Sequence, residues 1–135
     1  MKVYVSGSIY GGRQKVDVYK KLIAKLETFS EVLNRNIVED DVLEKEAMVS
    51  DNDTFKDLEN KMRKADILLA EVTVPSLGVG YEIGFCDMIG KRIVAIYDKN
   101  DIEKVSTMIR GNERIKLIPY TDIEQIVENL EEILK

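Results

Sequence analysis

Residues 67–84 have the sequence ILLAEVTVPSLGVGYEIG, which gives the strongest indication of the fold class. It opens with a short apolar run of the kind that fills the interior of a parallel sheet. Gly78, Gly80 and Gly84 then allow the chain to turn sharply and to pack closely as it enters a helix. This pattern places Glu82 at the carboxyl end of a strand, where open α/β sheets bind their ligands. A solvated glutamate that favours the dipole of its helix is an equally simple interpretation of the local pattern.

Strand and helix patterns alternate along the rest of the chain. Apolar runs predict strands at Lys2–Ser6, Val32–Val38, Asp66–Glu71, Arg92–Tyr97 and Ile115–Pro119. Helical patterns lie at 16–26, from Asp53 to about Arg63, and at Ile102–Ile109. Another helix follows the glycine-rich turn, runs through about Ile89 and stops at Gly90. The last helix spans Asp122–Leu134 and is capped by Thr121 or Asp122. The acidic segment Glu39–Asp53 is predicted to be irregular or partly helical.

This order of elements predicts a single domain over residues 1–135, because no internal repeat, linker or low-complexity tract interrupts it. We expect a doubly wound α/β fold of the flavodoxin or Rossmann kind. Its five-stranded sheet should be mostly parallel, with helices on both faces. The loops after the first and third strands then flank the crevice at the switch point of the sheet.

The composition limits the kind of partner. Net charge is -5, and Lys and Arg are dispersed among Asp and Glu, so no basic stripe is present to hold a nucleic-acid backbone. The single cysteine, Cys86, excludes an internal disulfide framework and fits a small core residue better than a nucleophile. The N-terminus runs directly into a strand, and no apolar stretch approaches the roughly 20 residues that span a bilayer. We therefore expect a cytoplasmic protein that binds neither nucleic-acid polymers nor membranes.

The absence of histidine constrains the mechanism. General acid and base chemistry near neutral pH must then come from Asp, Glu, Tyr or Lys with a shifted pKa. Serine-hydrolase and cysteine-protease triads are disfavoured, as are zinc sites, because only carboxylates remain as abundant ligands. No loop has the spacing of a calcium site. We expect no metal and no other cofactor.

The loop GSIYGGR, residues 7–13, follows the first predicted strand and leads into a helix. Consecutive backbone N–H groups at a helix N-terminus favour anions, and Arg13 adds a planar fork of donors, so the loop could cradle a phosphate. The loop matches neither a Walker sequence nor a dinucleotide fingerprint. A plain turn explains Gly7, Gly11 and Gly12 equally well.

Three blocks of sequence carry a resemblance to a known family: GSIYGGR at 7–13, ADILLAEVTVPSLGVGYEIG at 65–84 and STMIRG at 106–111. Together they resemble the 2′-deoxynucleoside 5′-monophosphate N-hydrolases, relatives of the nucleoside 2-deoxyribosyltransferases, over nearly the whole chain. The resemblance implies cleavage of the N-glycosidic bond to give 2-deoxyribose 5-phosphate and a free base. Glu82 matches the nucleophile that forms a deoxyribosyl intermediate, which suits an oxocarbenium-like transition state.

The resemblance implies a second carboxylate at Asp57, on the helix before the third strand. The spacer from Asp57 to Ala65 is one residue longer than the family pattern, and one residue rotates a helix by about 100°. Asp53 or Glu59 therefore remains an alternative, and a solvated charge is a further interpretation of Asp57.

The resemblance also implies a phosphate site. It assigns to this site Gly7, Ser8, Ile9, Tyr10, Gly11, Gly12 and Arg13, together with Ser76. Ser106, Thr107 and Met108 are expected to reach the site of the neighbouring subunit in a homodimer. Two residues depart from the family pattern: Tyr10 stands where an Arg is frequent, and Asn36 stands where a His lies near the base.

Two other functions remain open for this sequence. A nucleoside 2-deoxyribosyltransferase would share Glu82 but would pass the sugar to another base instead of to water. A non-catalytic nucleotide-binding module would use Glu82 only to hydrogen-bond a ribose. In each reading the ligand is a small nucleoside or nucleotide.

Overall fold

The computed structural model describes residues 1–9 and 15–135. Five strands form one sheet: β1 (Lys2–Ser6), β2 (Glu31–Val32), β3 (Ile67–Glu71), β4 (Arg92–Asp98) and β5 (Ile115–Tyr120). Their order is β2-β1-β3-β4-β5, and every pairing among the described strands is parallel. The predicted five-stranded α/β fold is thereby confirmed.

Helices connect the strands. They are α1 (Val16–Leu26), α2 (Val42–Ala47), α3 (Asp51–Lys64), α4 (Leu77–Met88), α5 (Thr107–Arg110), α6 (Ile123–Glu128) and α7 (Leu130–Ile133), with 3-10 helices at Arg35–Val38 and Lys99–Lys104. Within residues 1–9 and 15–135, no helix combines the length and the apolar character needed to cross a bilayer.

The alternation of side chains along each strand builds two separate cores. Val3 and Val5 of β1 face one side of the sheet, where the apolar positions of α1, α6 and α7 cover them. Tyr4 faces the other side, against apolar residues of α3 and α4. Because successive strand residues point to opposite faces, both faces must be covered by helices. The predicted doubly wound arrangement follows directly.

The second predicted strand, Val32–Val38, is wrong in its extent. Only Glu31–Val32 pairs with β1, and Arg35–Val38 turns into a 3-10 helix. The buried side chain of Asn34 takes the place of a continuing strand: its Nδ2 donates to the carbonyl of Val5 at 2.6 Å, and its Oδ1 accepts from the Val5 N–H at 2.9 Å. A side-chain amide can satisfy a backbone pair in this way and release the chain from the sheet.

Three helix boundaries also differ from the predictions. Helix α3 begins at Asp51, two residues early, because the hydroxyl of Ser50 accepts from the N–H of Asp53 at 3.1 Å and caps it. The predicted helix Ile102–Ile109 is interrupted at the buried Val105. The closing helix is capped by Asp122, as predicted, but is divided at Asn129.

Candidate active site

A cavity of about 640 Å³ lies at the carboxyl edge of the sheet. The strand order reverses between β1 and β3, so their loops diverge and leave the crevice that open α/β sheets use for ligands. Segments after β1, β2 and β3 form its walls, together with α2 and α3. The lining residues are Tyr4, Val5, Gly7, Ile9, Asn34, Asn36, Ile37, Val42, Glu46, Asp51, Thr54, Phe55, Leu58, Pro75, Ser76, Leu77, Gly78, Val79 and Glu82.

Glu82 lies in the second turn of α4 and faces this cavity. The hydroxyl of Ser76 accepts from the N–H of Val79 at 3.3 Å and starts the helix. Val79 and Ile83 are buried against the sheet, which holds the intervening glutamate at the rim of the core. The direct placement of Glu82 beside a cavity agrees with its predicted position after a buried strand.

The environment of Glu82 raises its pKa to about 7, chiefly because burial disfavours the charged form. The hydroxyls of Ser6 and Tyr4 act in the opposite direction by favouring the carboxylate, whereas the nearby charge of Glu46 raises the pKa further. The pKa of Tyr4 is itself raised, first by burial and then by the Glu82 charge. The Glu82 carboxyl group therefore gains or loses its proton near neutral pH.

Tyr4 and Ser6 were not predicted as site residues. Both belong to β1, both are buried, and Ser6 pairs with Ala70 in the sheet. Their position on a central strand beside the switch point could have indicated a role in the site. A tyrosine in a strand, however, is more often a packing residue.

The start of the predicted phosphate loop lies at the same edge. A β-carbon on Gly7 would approach the ring of Tyr19 to 2.5 Å, so only glycine allows this close passage of loop and helix. The hydroxyl of Tyr19 donates to the carbonyl of the buried Ser8 at 3.3 Å. Gly7 and Ile9 line the cavity. Tyr10, Gly11, Gly12 and Arg13 lie outside the described residues, so their predicted roles stay predictions.

Helix α3 presents one face to the cavity, and Asp57 is not on that face. Asp51, Thr54, Phe55 and Leu58 line the cavity at helical spacing. The side chain of Asp57 is 58% exposed and pairs with Lys61 at 2.7 Å. Its charge still contributes weakly to the raised pKa of Tyr4.

The two alternatives to Asp57 are also outside the cavity lining. Glu59 pairs with Arg63 at 2.9 Å, and Asp53 occupies the capped first turn of α3. The carboxylates that line the cavity are instead Glu82, Glu46 and Asp51. The additional residue in the spacer after Asp57 is consistent with this register, because it places Leu58 on the cavity face.

Two other predicted residues do line the cavity. Ser76 lies at the N-terminus of α4, where hydroxyl and backbone N–H groups favour an anion. Asn36, expected near the base, lines the cavity from the 3-10 helix after β2.

Ser106, Thr107 and Met108 do not line the cavity of their own chain. All three are exposed, and the hydroxyl of Ser106 accepts from the N–H of Met108 at 3.2 Å to cap α5. Such exposure is compatible with the predicted contribution to a neighbouring subunit, which remains a prediction.

Glu71 forms a second buried carboxyl group nearby, outside the cavity lining. Its Oε1 accepts from the N–H of Thr73 at 2.8 Å and from the Thr73 hydroxyl, which in turn accepts from the N–H of Asp98 at 2.9 Å. Burial raises the pKa of Glu71, and the Thr73 hydrogen bonds oppose that change. This network ties the ends of β3 and β4 together below the site.

Several known proteins are similar to this chain in sequence. The family model for nucleoside 2-deoxyribosyltransferase matches residues 3–129. A protein of Thermofilum pendens with the provisional name 2′-deoxynucleoside 5′-phosphate N-hydrolase 1 is 37% identical over 99% of this chain and 95% of its own length. A protein of Esox lucius named 5-hydroxymethyl-dUMP N-hydrolase is 36% identical over 100% of this chain and 94% of its own length.

A solved structure shows the same fold. The CMP N-glycosidase BcmB of Clostridium botulinum superposes with a TM-score of 0.72 and covers 98% of both chains, at 22% sequence identity. The family match spans almost the whole chain, and the sequence relatives exceed 30% identity over nearly their full lengths. This chain belongs to the nucleoside 2-deoxyribosyltransferase family.

Proposed function

We propose that this chain is a hydrolase that cleaves the N-glycosidic bond of 2′-deoxynucleoside 5′-monophosphates. The products are 2-deoxyribose 5-phosphate and a free nucleobase. The observation that carries the proposal is the position of Glu82, a partly buried carboxyl group that faces a cavity at the sheet switch point. The names of the sequence relatives, which are N-hydrolases of deoxynucleotides, support the same reaction.

The reaction begins when a carboxylate oxygen of Glu82 attacks C1′ of the sugar. The bond between C1′ and the base nitrogen breaks, its electron pair leaves with the base, and a proton is needed on that base. The developing oxocarbenium charge is stabilised by the same carboxylate. Water then attacks C1′, loses a proton, and releases Glu82. A substrate without a 2′-hydroxyl forms the cation more easily and lets the pocket pack against the sugar.

The 5′-phosphate is assigned to the first loop and to the start of α4. Gly7, Ile9 and Ser76 line that part of the cavity, and Tyr10 to Arg13 are predicted to complete it. Hydroxyls and backbone N–H groups can converge on one anion without the desolvation cost of several buried cations.

The base is assigned to the part of the cavity that is lined by the 3-10 helix after β2 and by α3. Asn36 supplies an amide that can pair with a base edge, while Ile37 and Phe55 supply apolar surface. The ring of Phe55 is held by an edge contact with Tyr81, with centroids 6.2 Å apart. A flat heterocycle fits against such a wall because aromatic faces stack favourably.

The active unit is proposed to be a homodimer that covers the open side of this cavity. Leu77 lines the cavity yet is 97% exposed, and Tyr81 and Met88 continue the apolar surface along α4. Large exposed apolar side chains on one helix mark an interaction surface. A second copy would bring its Ser106 and Met108, both exposed, toward this opening.

Base exchange is the second candidate, since the matching family model is described as a transferase. The experiment that separates the candidates is incubation with each deoxynucleoside monophosphate, with and without a second free base, followed by chromatography of bases and sugars. Free base and sugar phosphate in both samples support the hydrolase. A new nucleotide that contains the second base indicates the transferase, and binding without turnover indicates a non-catalytic module.

A further inference from the structure

A cluster of charged and polar side chains lies at the carboxyl ends of β3, β4 and β5. Its members are Lys15, Glu71, Thr73, Asp98 and Tyr120. Glu71, Thr73 and Tyr120 are buried, and Lys15 and Asp98 are half-buried. The proposed bond cleavage uses none of them. Because charged groups are costly to bury unless they are paired, the contacts within this cluster must hold it together.

Lys15 supplies the positive charge of the cluster. Its ammonium nitrogen lies 3.6 Å from a carboxylate oxygen of Asp98 and 5.6 Å from the centre of the Tyr120 ring. These distances are those of an ion pair and of a cation–π contact. Burial lowers the pKa of the ammonium group, but Tyr120, Glu71 and Asp98 raise it by more. A charged Lys15 is therefore held against the ends of β4 and β5.

The same cluster holds the turn after β3. The N–H of Asp98 donates to the Thr73 hydroxyl at 2.9 Å, and the N–H of Thr73 donates to Oε1 of Glu71 at 2.8 Å. Thr73 lies three residues before Ser76, which lines the cavity and caps α4. Asp98 is thus connected through its carboxylate to Lys15, and through its backbone to the turn that leads into α4.

Lys15 also marks the end of the first loop. It directly precedes α1 and is the first described residue after the loop to which the 5′-phosphate is assigned. The carbonyl of Lys15 accepts from the N–H of Tyr19 at 3.0 Å. At the other end of the loop, Gly7 passes close to the ring of Tyr19, and the Tyr19 hydroxyl donates to the carbonyl of Ser8. An ion pair that fixes Lys15 therefore fixes the place where this loop begins and ends.

We infer that Lys15 and Asp98 are positioning residues for the 5′-phosphate site, because their ion pair joins the loop after β1 to the turn after β3. This inference rests on the proposed function. Neither side chain is among the described residues that line the cavity, so the pair acts through the two loops and not by contact with the phosphate. A phosphate site made of hydroxyls and backbone N–H groups depends on their placement. Loss of the pair should therefore weaken binding of the phosphate and leave bond cleavage nearly unchanged.

The test uses variants that separate positioning from direct contact. Lys15→Met removes the cation, and Asp98→Asn removes the partner charge but keeps an oxygen that can accept from the N–H of Asn100. The double variant removes both charges. KM and kcat would be measured with a deoxynucleoside monophosphate and with the deoxynucleoside of the same base, and calorimetry would give the Kd of 2-deoxyribose 5-phosphate. Lys21→Met is the matched control, because Lys21 lies on the same helix and pairs with the exposed Glu124.

The expected result is a loss confined to phosphate binding. Lys15→Met and Asp98→Asn should each raise the KM of the monophosphate and the Kd of the sugar phosphate by about tenfold, with kcat within about twofold. The double variant should be no weaker than either single variant, because both changes break the same contact. For the deoxynucleoside, kcat/KM should change by less than about twofold, as should every constant in Lys21→Met. Lys15→Arg should stay close to the unchanged protein, since a guanidinium group also pairs with a carboxylate.

The response of Asp98→Asn separates the two possible roles of Lys15. If Lys15 instead touches the phosphate, its release from Asp98 would leave the KM of the monophosphate unchanged or lower it, and the inference would be wrong. Equal losses on the monophosphate and the deoxynucleoside would show that the pair only stabilises the fold, which thermal melting checks. Losses that add in the double variant, or no loss in either single variant, would also overturn the inference. Absence of base release from every deoxynucleotide would refute the proposed function, while the Kd of the sugar phosphate would still test the ion pair.

Discussion

The hydroxyl of Tyr4 in β1 lies against the carboxyl group of Glu82 in α4, across the point where the order of strands reverses. Their hydrogen bonding favours the charged carboxylate, while burial of the pair disfavours it. Burial has the larger effect, so the pKa of Glu82 rises to about 7. A carboxyl group with a pKa near 7 is only partly ionised at neutral pH, so the fraction of Glu82 that can act as a nucleophile changes with pH in this range.

The first prediction concerns the pH dependence of the rate. Glu82 must be ionised to attack C1′, so kcat/KM should fall as the pH drops through about 7. Tyr4→Phe removes a group that favours the carboxylate, and the acid limb should move to higher pH. Tyr97→Phe, outside the cavity lining, serves as the control. An acid limb near the ordinary value for a glutamate would contradict the described environment of Glu82.

The second prediction concerns stability and is independent of substrate. The pKa of Glu82 rises from 4.5 to about 7 on folding, so the native state holds its proton more tightly than the unfolded state. The contribution of the Glu82 proton to the free energy of unfolding is fully present below about pH 4.5 and is lost as the pH rises through 7. Glu82→Gln avoids that loss. Its gain in unfolding free energy over the unchanged protein should be larger at pH 8 than at pH 5, by up to about 3 kcal/mol.

Urea unfolding at the two pH values measures this difference. Glu44→Gln, a change at an exposed residue of α2, should show nearly the same unfolding free energy relative to the unchanged protein at both pH values. If the Glu82→Gln difference is also independent of pH, the carboxyl group is solvated and the second prediction fails.

The third prediction concerns the 5′-phosphate. Hydrogen bonds to a charged group contribute about 1.5 to 3 kcal/mol each, so monophosphates should exceed deoxynucleosides in kcat/KM by at least about tenfold. Ser76→Ala should reduce that preference, because Ser76 lines the cavity at the N-terminus of α4, where we propose that the 5′-phosphate binds. The same change removes a helix cap at a cost of about 1 kcal/mol. Asp122→Ala, which removes the cap of α6, controls for that cost.

The fourth prediction concerns the shared site. Glu82→Gln and Ser106→Trp should each be inactive alone, whereas a mixed dimer places both lesions in one site and leaves the other intact. Activity should therefore recover in part after subunit exchange. Absence of recovery despite confirmed mixed dimers would show that Ser106 serves its own chain, and an active monomer would refute the shared site.

The strong patterns of the sequence predicted the sheet and the place of Glu82. Ile67 to Ala70 form a fully buried strand, and the glycine-rich turn leads into a helix as expected. Ser76 and Asn36 line the cavity for the same reason: each follows the carboxyl end of a strand near the switch point. These features depend on periodicity and chain order, which a sequence displays directly.

Features that depend on tertiary contacts were not predictable in this way. The end of β2 is decided by the buried amide of Asn34 on the backbone of Val5, a contact between residues far apart in sequence. The cavity face of α3 depends on its register, which places Leu58 inward and Asp57 outward. The inward position of Glu46 depends on a short helix within a segment whose polar composition indicated only irregular structure.

The stereochemistry of the reaction in aqueous methanol, followed by proton NMR, tests most directly whether Glu82 forms a covalent bond to C1′. Attack by Glu82 and then by methanol inverts C1′ twice, so a β-nucleotide should give methyl 2-deoxy-β-ribofuranoside 5-phosphate, together with free base and sugar phosphate. Glu82→Gln should lose turnover by several orders of magnitude while keeping its fold. The α-anomer would show direct attack by solvent without a covalent intermediate, and unchanged nucleotide in every sample would show that the protein does not cleave the N-glycosidic bond.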